Sequence, residues 1–201
     1  MSVSTTPGLR ERNKLEKRGR ILAAARDLFD ERGFEDTTGR QICERAGVGT
    51  GTLFLYVSDK RELLLWVFEE DARRILEREP LASGSPVDRC LSVLGRFLTL
   101  YARNPRLSAS YVQELLFRPE SPPELNQLNL DLHNVIRDIA RQAQASGDLR
   151  QDVGADEIAS LVLGQYAHLV QLWLGVGALG SRQVRTRLRR GLTLLMEGIQ
   201  A

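Results

Sequence analysis

The chain has 201 residues, 42% hydrophobic and 27% charged, with a formal net charge of +2 and two cysteines. That balance describes one or two small globular domains able to bury a core, and it excludes a disordered, collagen-like or disulfide-stapled chain. The net charge is too weak to name a partner, but it is uneven: residues 1–62 hold 12 Lys and Arg against 10 Asp and Glu, and residues 63–201 hold 16 of each.

No stretch shows sustained period-two alternation, so an all-α fold of about nine helices is expected. Residues 1–10 read as an arm rich in Ser, Thr, Pro and Gly. A first helix is predicted from about Asn13 to Arg32, with Ile21, Ala25, Leu28 and Phe29 on one apolar stripe. Gly33 closes it in a left-handed cap, and Phe34 packs back. Thr37 or Thr38 caps a short second helix whose Ile42, Cys43 and Ala46 face inward. Ala46-Gly47-Val48 reads as a tight turn, followed by a short third helix from Thr50 to Val57 with Leu53, Phe54 and Val57 inward. A longer helix follows from Lys60 to about Glu79, carrying Leu63, Leu64, Val67, Phe68, Ala72 and Ile75. Beyond the breaker Pro80–Pro86, helices are predicted at about 86–103, 106–117, 122–146, 155–175 and 181–200. No apolar run reaches membrane-spanning length and Met1–Gly8 lacks a signal-peptide core, so a cytoplasmic protein with no membrane partner is expected.

The stretch Asp36–Lys60 carries the functional signal. Two short helices joined by a three-residue turn containing Gly47 have helix-turn-helix spacing, in which the second helix enters the major groove. Thr50, Thr52, Leu55 and Tyr56 point away from the predicted apolar side. The small residues Gly49, Thr50, Gly51 and Thr52 let a helix start come close to a duplex, where backbone N–H groups can meet phosphate. Leu55 is apolar on a face that should be wet, and a thymine methyl would explain it. Arg40 is placed to reach a base edge or a phosphate.

Gly33-Phe34, Thr37-Thr38, Arg40, Ile42, Ala46-Gly47-Val48, Gly51-Thr52-Leu53-Phe54, Tyr56 and Asp59-Lys60 stand in an ordered, gap-free series. Over roughly residues 14–65 this resembles the N-terminal signature of the tetracycline-repressor family. The resemblance implies a three-helix DNA-binding head (residues 1–62) and a helical ligand-binding and dimerisation body (63–201) in a homodimer. It implies double-stranded DNA with a near-palindromic operator as partner, and a small-molecule inducer. Carried over by position, Thr38, Tyr56 and Lys60 resemble phosphate contacts; Arg40, Thr50 and Leu55 resemble base-facing positions; Thr52 could serve either role. Thr37, Gly49 and Gly51 complete the DNA-facing set. Two positions depart from the pattern. Gly49 stands where a capping Ser or Thr is usual, and Gly39 where a larger residue is usual.

The body offers a pocket reading. Gln165, Tyr166, His168 and Gln171 interrupt an otherwise apolar helix, and Phe97, Tyr101, Tyr111 and Phe117 supply aromatic walls, a mixture suited to a small, largely apolar ligand. The last two helices carry wide apolar stripes that a lone pair would not cover, so a dimer interface is expected at Leu161, Leu169, Leu188, Leu192 and Leu195. His133 and His168 form no metal motif, and Cys43 and Cys90 lack the spacing of a metal or redox pair; no cofactor or metal is expected. The basic start of the last helix could lie on a membrane surface, but a solvated face beside a dimer interface is the simpler reading. A scaffold or enzyme on the same fold is the alternative, and it lacks a visible nucleophile–base pair or metal cluster.

Overall fold

The computed structural model describes residues 8–81, 83–117 and 123–200, with backbone alone for 9–11, 116–117 and 123–126. The described residues are all helical apart from loops and one isolated bridge between Leu149 and Gln200. They divide into two compact units, Met1–Phe68 and Glu69–Ala201.

The first unit contains α1 (Leu9–Arg32), α2 (Gly39–Ala46), α3 (Thr50–Leu53) and the start of α4 (Lys60–Leu76). The stripe Ile21, Ala25, Leu28 and Phe29 is buried, as periodicity requires of a one-sided helix. Gly33 ends α1 at φ +86°, a conformation that side-chained residues rarely adopt, and its N–H donates to the Phe29 carbonyl. Phe34 then returns edge-on against Phe29, ring centroids 5.4 Å apart. α2 opens with a reciprocal cap: the Thr38 hydroxyl accepts from the Gln41 N–H, and the Gln41 side chain accepts from the Thr38 N–H. It closes at Gly47 in the left-handed region, φ +63°. Ile42, Cys43 and Ala46 are buried.

α3 is only one turn long. Past Leu53 the chain tightens, with the Leu55 N–H donating to the Thr52 carbonyl and the Tyr56 N–H to the Leu53 carbonyl. The helix expected to reach Val57 therefore stops early. Two glycines flanking Thr50 add little helical propensity to so short a segment.

The second unit contains the rest of α4 and α5 (Pro86–Arg103), α6 (Pro105–Phe117), α7 (Pro123–Ala145), α8 (Ala155–Val170) and α9 (Ser181–Gly198). Ser85 caps α5 by accepting from the Asp88 N–H, with Pro86 at the first helical position. Val87, Cys90, Val93, Leu94, Phe97, Leu98 and Tyr101 form its buried stripe. α8 runs on into a wider π turn, Gln171–Gly175, where the Val176 N–H donates to the Gln171 carbonyl. α9 packs on α5 and α8, and its Val184, Leu188, Leu192 and Met196 are all buried. At the α8–α9 crossing the Gln165 amide fills the space beside Gly191; a Cβ on Gly191 would lie 1.4 Å from Gln165 Nε2. Arg189 pairs with Asp88 at 2.9 Å, and Arg185 donates to the Thr99 hydroxyl at 2.8 Å, tying α9 to α5 from its polar side.

Candidate functional site

The first unit presents a surface built from the start of α2 and from α3 with its following turn. Thr38, Arg40, Gly49, Thr50 and Gly51 are exposed, and Thr52 is half-buried. Arg40 donates to Glu44 at 2.9 Å along α2, yet its side chain is 84% exposed. That pairing steers the guanidinium without removing it from solvent. Leu55 is 81% exposed and Phe54 61%. Phe54, expected inward with Leu53 and Val57, lies outward because the helix has already given way to a tighter turn. Leu53 and Val57 are buried as expected. Two large apolar side chains thus stand side by side on a polar surface, an arrangement that marks a contact surface.

Two polar residues expected at this surface, Thr37 and Lys60, are engaged inside the unit. Thr37 is buried, and its hydroxyl donates to the Gly33 carbonyl at 2.8 Å, near the Leu28 carbonyl at 3.2 Å. A hydroxyl so placed is turned away from the exposed surface; it staples the α1–α2 loop to the end of α1. The Lys60 ammonium donates to the Phe34 and Glu35 carbonyls at 2.6 and 3.2 Å and lies 4.3 Å from the Phe34 ring centre. It secures the same loop. Tyr56 is half-buried, its hydroxyl 3.4 Å from the Lys14 carbonyl on α1.

In the second unit α5, α6, α7 and α8 line a cavity of about 250 Å³ that opens to solvent. Phe97, Tyr101, Tyr111 and Tyr166 line it, and α6 and α7 add Val112, Leu115, Leu128 and Leu132. Periodicity could not separate those four aliphatic residues from ordinary core. Burial pushes the hydroxyl pKa of all three tyrosines upward, so each remains protonated. Gln165 turns instead toward Gly191 on α9, and His168 is exposed; neither is among the cavity-lining residues. The Phe117 side chain lies outside the described residues.

Of the residues expected at a dimer interface, Leu169, Leu188 and Leu192 are buried within the subunit, the last two with no exposed surface. Their stripe is consumed by packing inside one chain. Leu195 is half-buried, while Leu161 and Leu194 are 52% and 61% exposed. His133 reaches Asp156 across α7 and α8 at 3.3 Å. Cys43 and Cys90 are both buried, and burial pushes the Cys90 thiol up to about 12. Among the described residues no group of three or more His, Cys, Asp or Glu is placed to hold a metal, and no helix is long and apolar enough to cross a membrane.

A three-helix unit whose third helix follows a left-handed glycine turn and displays its far side to solvent has the arrangement of a helix-turn-helix DNA-binding unit. The family of bacterial regulatory proteins described as the tetR family matches residues 21–67. The HTH-type transcriptional repressor KstR of Mycolicibacterium smegmatis is 32% identical over 109 residues, a match spanning 53% of each chain, so about half the length of that relative. The crystal structure of Thermus thermophilus FadR in complex with lauroyl-CoA is 28% identical, with a TM-score of 0.66 over 90% of this chain and 94% of that one. Bacillus subtilis FadR in complex with stearoyl-CoA, 21% identical with a TM-score of 0.69 over 90% and 98% of the two chains, shows the shared fold. Residues 21–67 thus match the tetR family of bacterial regulatory proteins, and the chain as a whole is similar in fold to solved regulators of that family.

Proposed function

We propose that this regulator is a homodimeric repressor that binds a near-palindromic operator and leaves it when a small, largely apolar molecule enters the second unit. The observation that carries the DNA-binding half is the exposed set Thr38, Arg40, Thr50, Gly51, Phe54 and Leu55 on the segment that matches the family. Thr38 and Tyr56 suit phosphate contact; Arg40, Thr50 and Leu55 suit base edges, with Phe54 beside them against sugar or a thymine methyl. Thr37 and Lys60 act by fixing the loop that carries α2. Two heads on a two-fold axis call for two related half-sites about 34–36 Å apart. The exposed Leu161 and Leu194, with Leu195 beside them, are the apolar positions proposed to meet a second subunit. Operator binding puts the protein in the cytoplasm with the chromosome.

The ligand half rests on the cavity among α5, α6, α7 and α8. The two FadR relatives were solved with acyl-CoA thioesters, and an acyl chain or comparable hydrocarbon body suits these apolar walls. α4 belongs to both units, and at about 1.5 Å per residue its length is roughly 25 Å. A ligand that shifts its far end alters the spacing of the two heads. By linkage, DNA and ligand then weaken each other by the same factor.

The test is a duplex selected from a random pool, with affinity measured at fixed salt against a scrambled duplex. Selected DNA should bind at least about a thousandfold tighter than scrambled DNA. Equal affinity for both would end the repressor reading. A ligand that fills the cavity and leaves operator affinity unchanged would end the inducer reading alone.

A further inference from the structure

An apolar cavity does not need three tyrosines. Tyr101, Tyr111 and Tyr166 are 6%, 3% and 8% exposed, and all three line the space among α5, α6, α7 and α8. The Tyr101 and Tyr111 rings tilt against each other with centroids 6.2 Å apart. The Tyr101 and Tyr166 hydroxyls lie close enough to influence one another, yet the Tyr166 oxygen is buried without a partner of hydrogen-bond geometry. Leaving a buried hydroxyl unpaired costs free energy that a phenylalanine at the same place would not. Tyr166, which carries that hydroxyl, is one of the residues lining the cavity.

The rest of the lining states what the hydroxyl can meet. Among the described residues that line it there is no Lys, Arg, His, Asp or Glu, and Asn129 is the one other polar side chain. Asn129 and Ala167 are exposed, so they stand at the mouth. An anionic head drawn inside would lose its hydration with no cation to replace it. Glu69 adds to this: it is buried, one of its oxygens is held by Arg73 at 2.7 Å, and it lies within electrostatic reach of Tyr111. Protonated phenols, in contrast, donate well to a neutral oxygen. A cavity of about 250 Å³ is a little below the usual range for ligand sites, so the body it takes is compact or a short chain.

We propose that the cavity selects an uncharged ligand, a hydrocarbon body carrying a carbonyl or hydroxyl oxygen that pairs with Tyr166, and rejects the matching carboxylate. This rests on the cavity being the ligand site. It adds which atom of the ligand is read, and by which side chain. A site that offers hydrogen bonds discriminates against molecules that cannot return them more sharply than apolar walls do.

The test uses the full chain and four probes at pH 7, followed by calorimetry: 2-nonanone, 1-nonanol, nonanoate and propylbenzene. The ketone and the alcohol should bind at least about tenfold more tightly than nonanoate. Nonanoate should gain affinity as the pH falls and its carboxyl takes a proton. Tyr166→Phe should weaken the ketone and alcohol about five- to tenfold, the size of one hydrogen bond, and leave propylbenzene unchanged. Without ligand the same variant should melt no lower than the parent, because it removes an unpaired oxygen. Nonanoate binding as tightly as the ketone, or Tyr166→Phe leaving all four affinities unchanged, overturns the selection rule while the cavity remains a ligand site. If none of the four binds, the cavity reading itself falls, and this inference with it.

Discussion

The turn after α3 and the stripe of α9 hold apolar side chains with opposite fates. Phe54 and Leu55 stand in solvent, whereas Leu188 and Leu192 have no exposed surface at all. The pattern that places Phe54 inward and Leu188 on an outer face assumes a regular helix in the first case and a missing partner in the second. Both assumptions give way to local facts. α3 stops at Leu53, so the 3.6-residue period has no meaning for Phe54. α9 meets two helices of its own chain, α5 and α8, so its stripe is covered before a second subunit is considered. An apolar pattern tells which side chains share a face; it does not tell what covers that face.

The largest expected effect tests the covered stripe. Leu188→Glu buries a carboxylate where no partner is provided and should destabilise the subunit by roughly 3–5 kcal/mol or prevent folding. Leu161→Glu together with Leu194→Glu should leave the melting temperature within a few degrees and convert the proposed dimer to monomer in light scattering. If Leu188→Glu gave a folded monomer, α9 would be an interface helix after all.

Next is the α8–α9 crossing. Gly191→Ala puts a methyl where Gln165 Nε2 now sits, and the Gln165 amide must move. A loss of about 1–3 kcal/mol is expected from urea unfolding. Gln165→Ala in the same chain should recover much of it, since it removes the opposing group. No recovery would mean that the backbone, and not the amide, sets the spacing.

On the solvent side the expected effects move from stability to affinity. Phe54→Ala and Leu55→Ala should each leave stability within about 0.5 kcal/mol, because neither side chain is in the core. Operator affinity should fall by about 1–3 kcal/mol at a base-edge contact. Lys60→Ala should lower stability by about 1 kcal/mol through the freed Phe34 and Glu35 carbonyls, and weaken all duplexes alike. Loss of stability in Phe54→Ala with unchanged DNA affinity would return Phe54 to the core.

Much of the fold is legible before any coordinates because its helices are long and one-sided. The stripe of α1 is buried as its period requires, and Gly33 and Gly47 end α1 and α2 at positive φ where glycine is expected. The head surface is less legible. Thr37 and Thr38 are adjacent and chemically alike, yet one hydroxyl is buried against α1 and the other caps α2. Only the path of the loop separates them. In the body, aromatic content points to Phe97, Tyr101, Tyr111 and Tyr166, which do meet around one cavity. Gln165 and His168 share their helix with Tyr166 but lie on other faces, and a polar interruption carries no direction of its own.

The smallest expected effect concerns the polar side of α9. Asp88 is held below the ordinary carboxylate value of about 3.9, first by the Ser85 hydroxyl and then by the Arg189 guanidinium. Its folded-state pKa is thus lower than its unfolded one, so its contribution is complete above about pH 4 and disappears as the pH falls through the folded value. Asp88→Asn keeps an acceptor for Ser85 but loses the charge. The parent should therefore be slightly more stable than the variant at pH 7, and the two stability curves should converge in strong acid. Added salt should shrink the gap at pH 7, because both partners are exposed and screened. A gap that persisted unchanged at pH 2 would mean that Asp88 acts through packing at the start of α5 and not through its charge on α9.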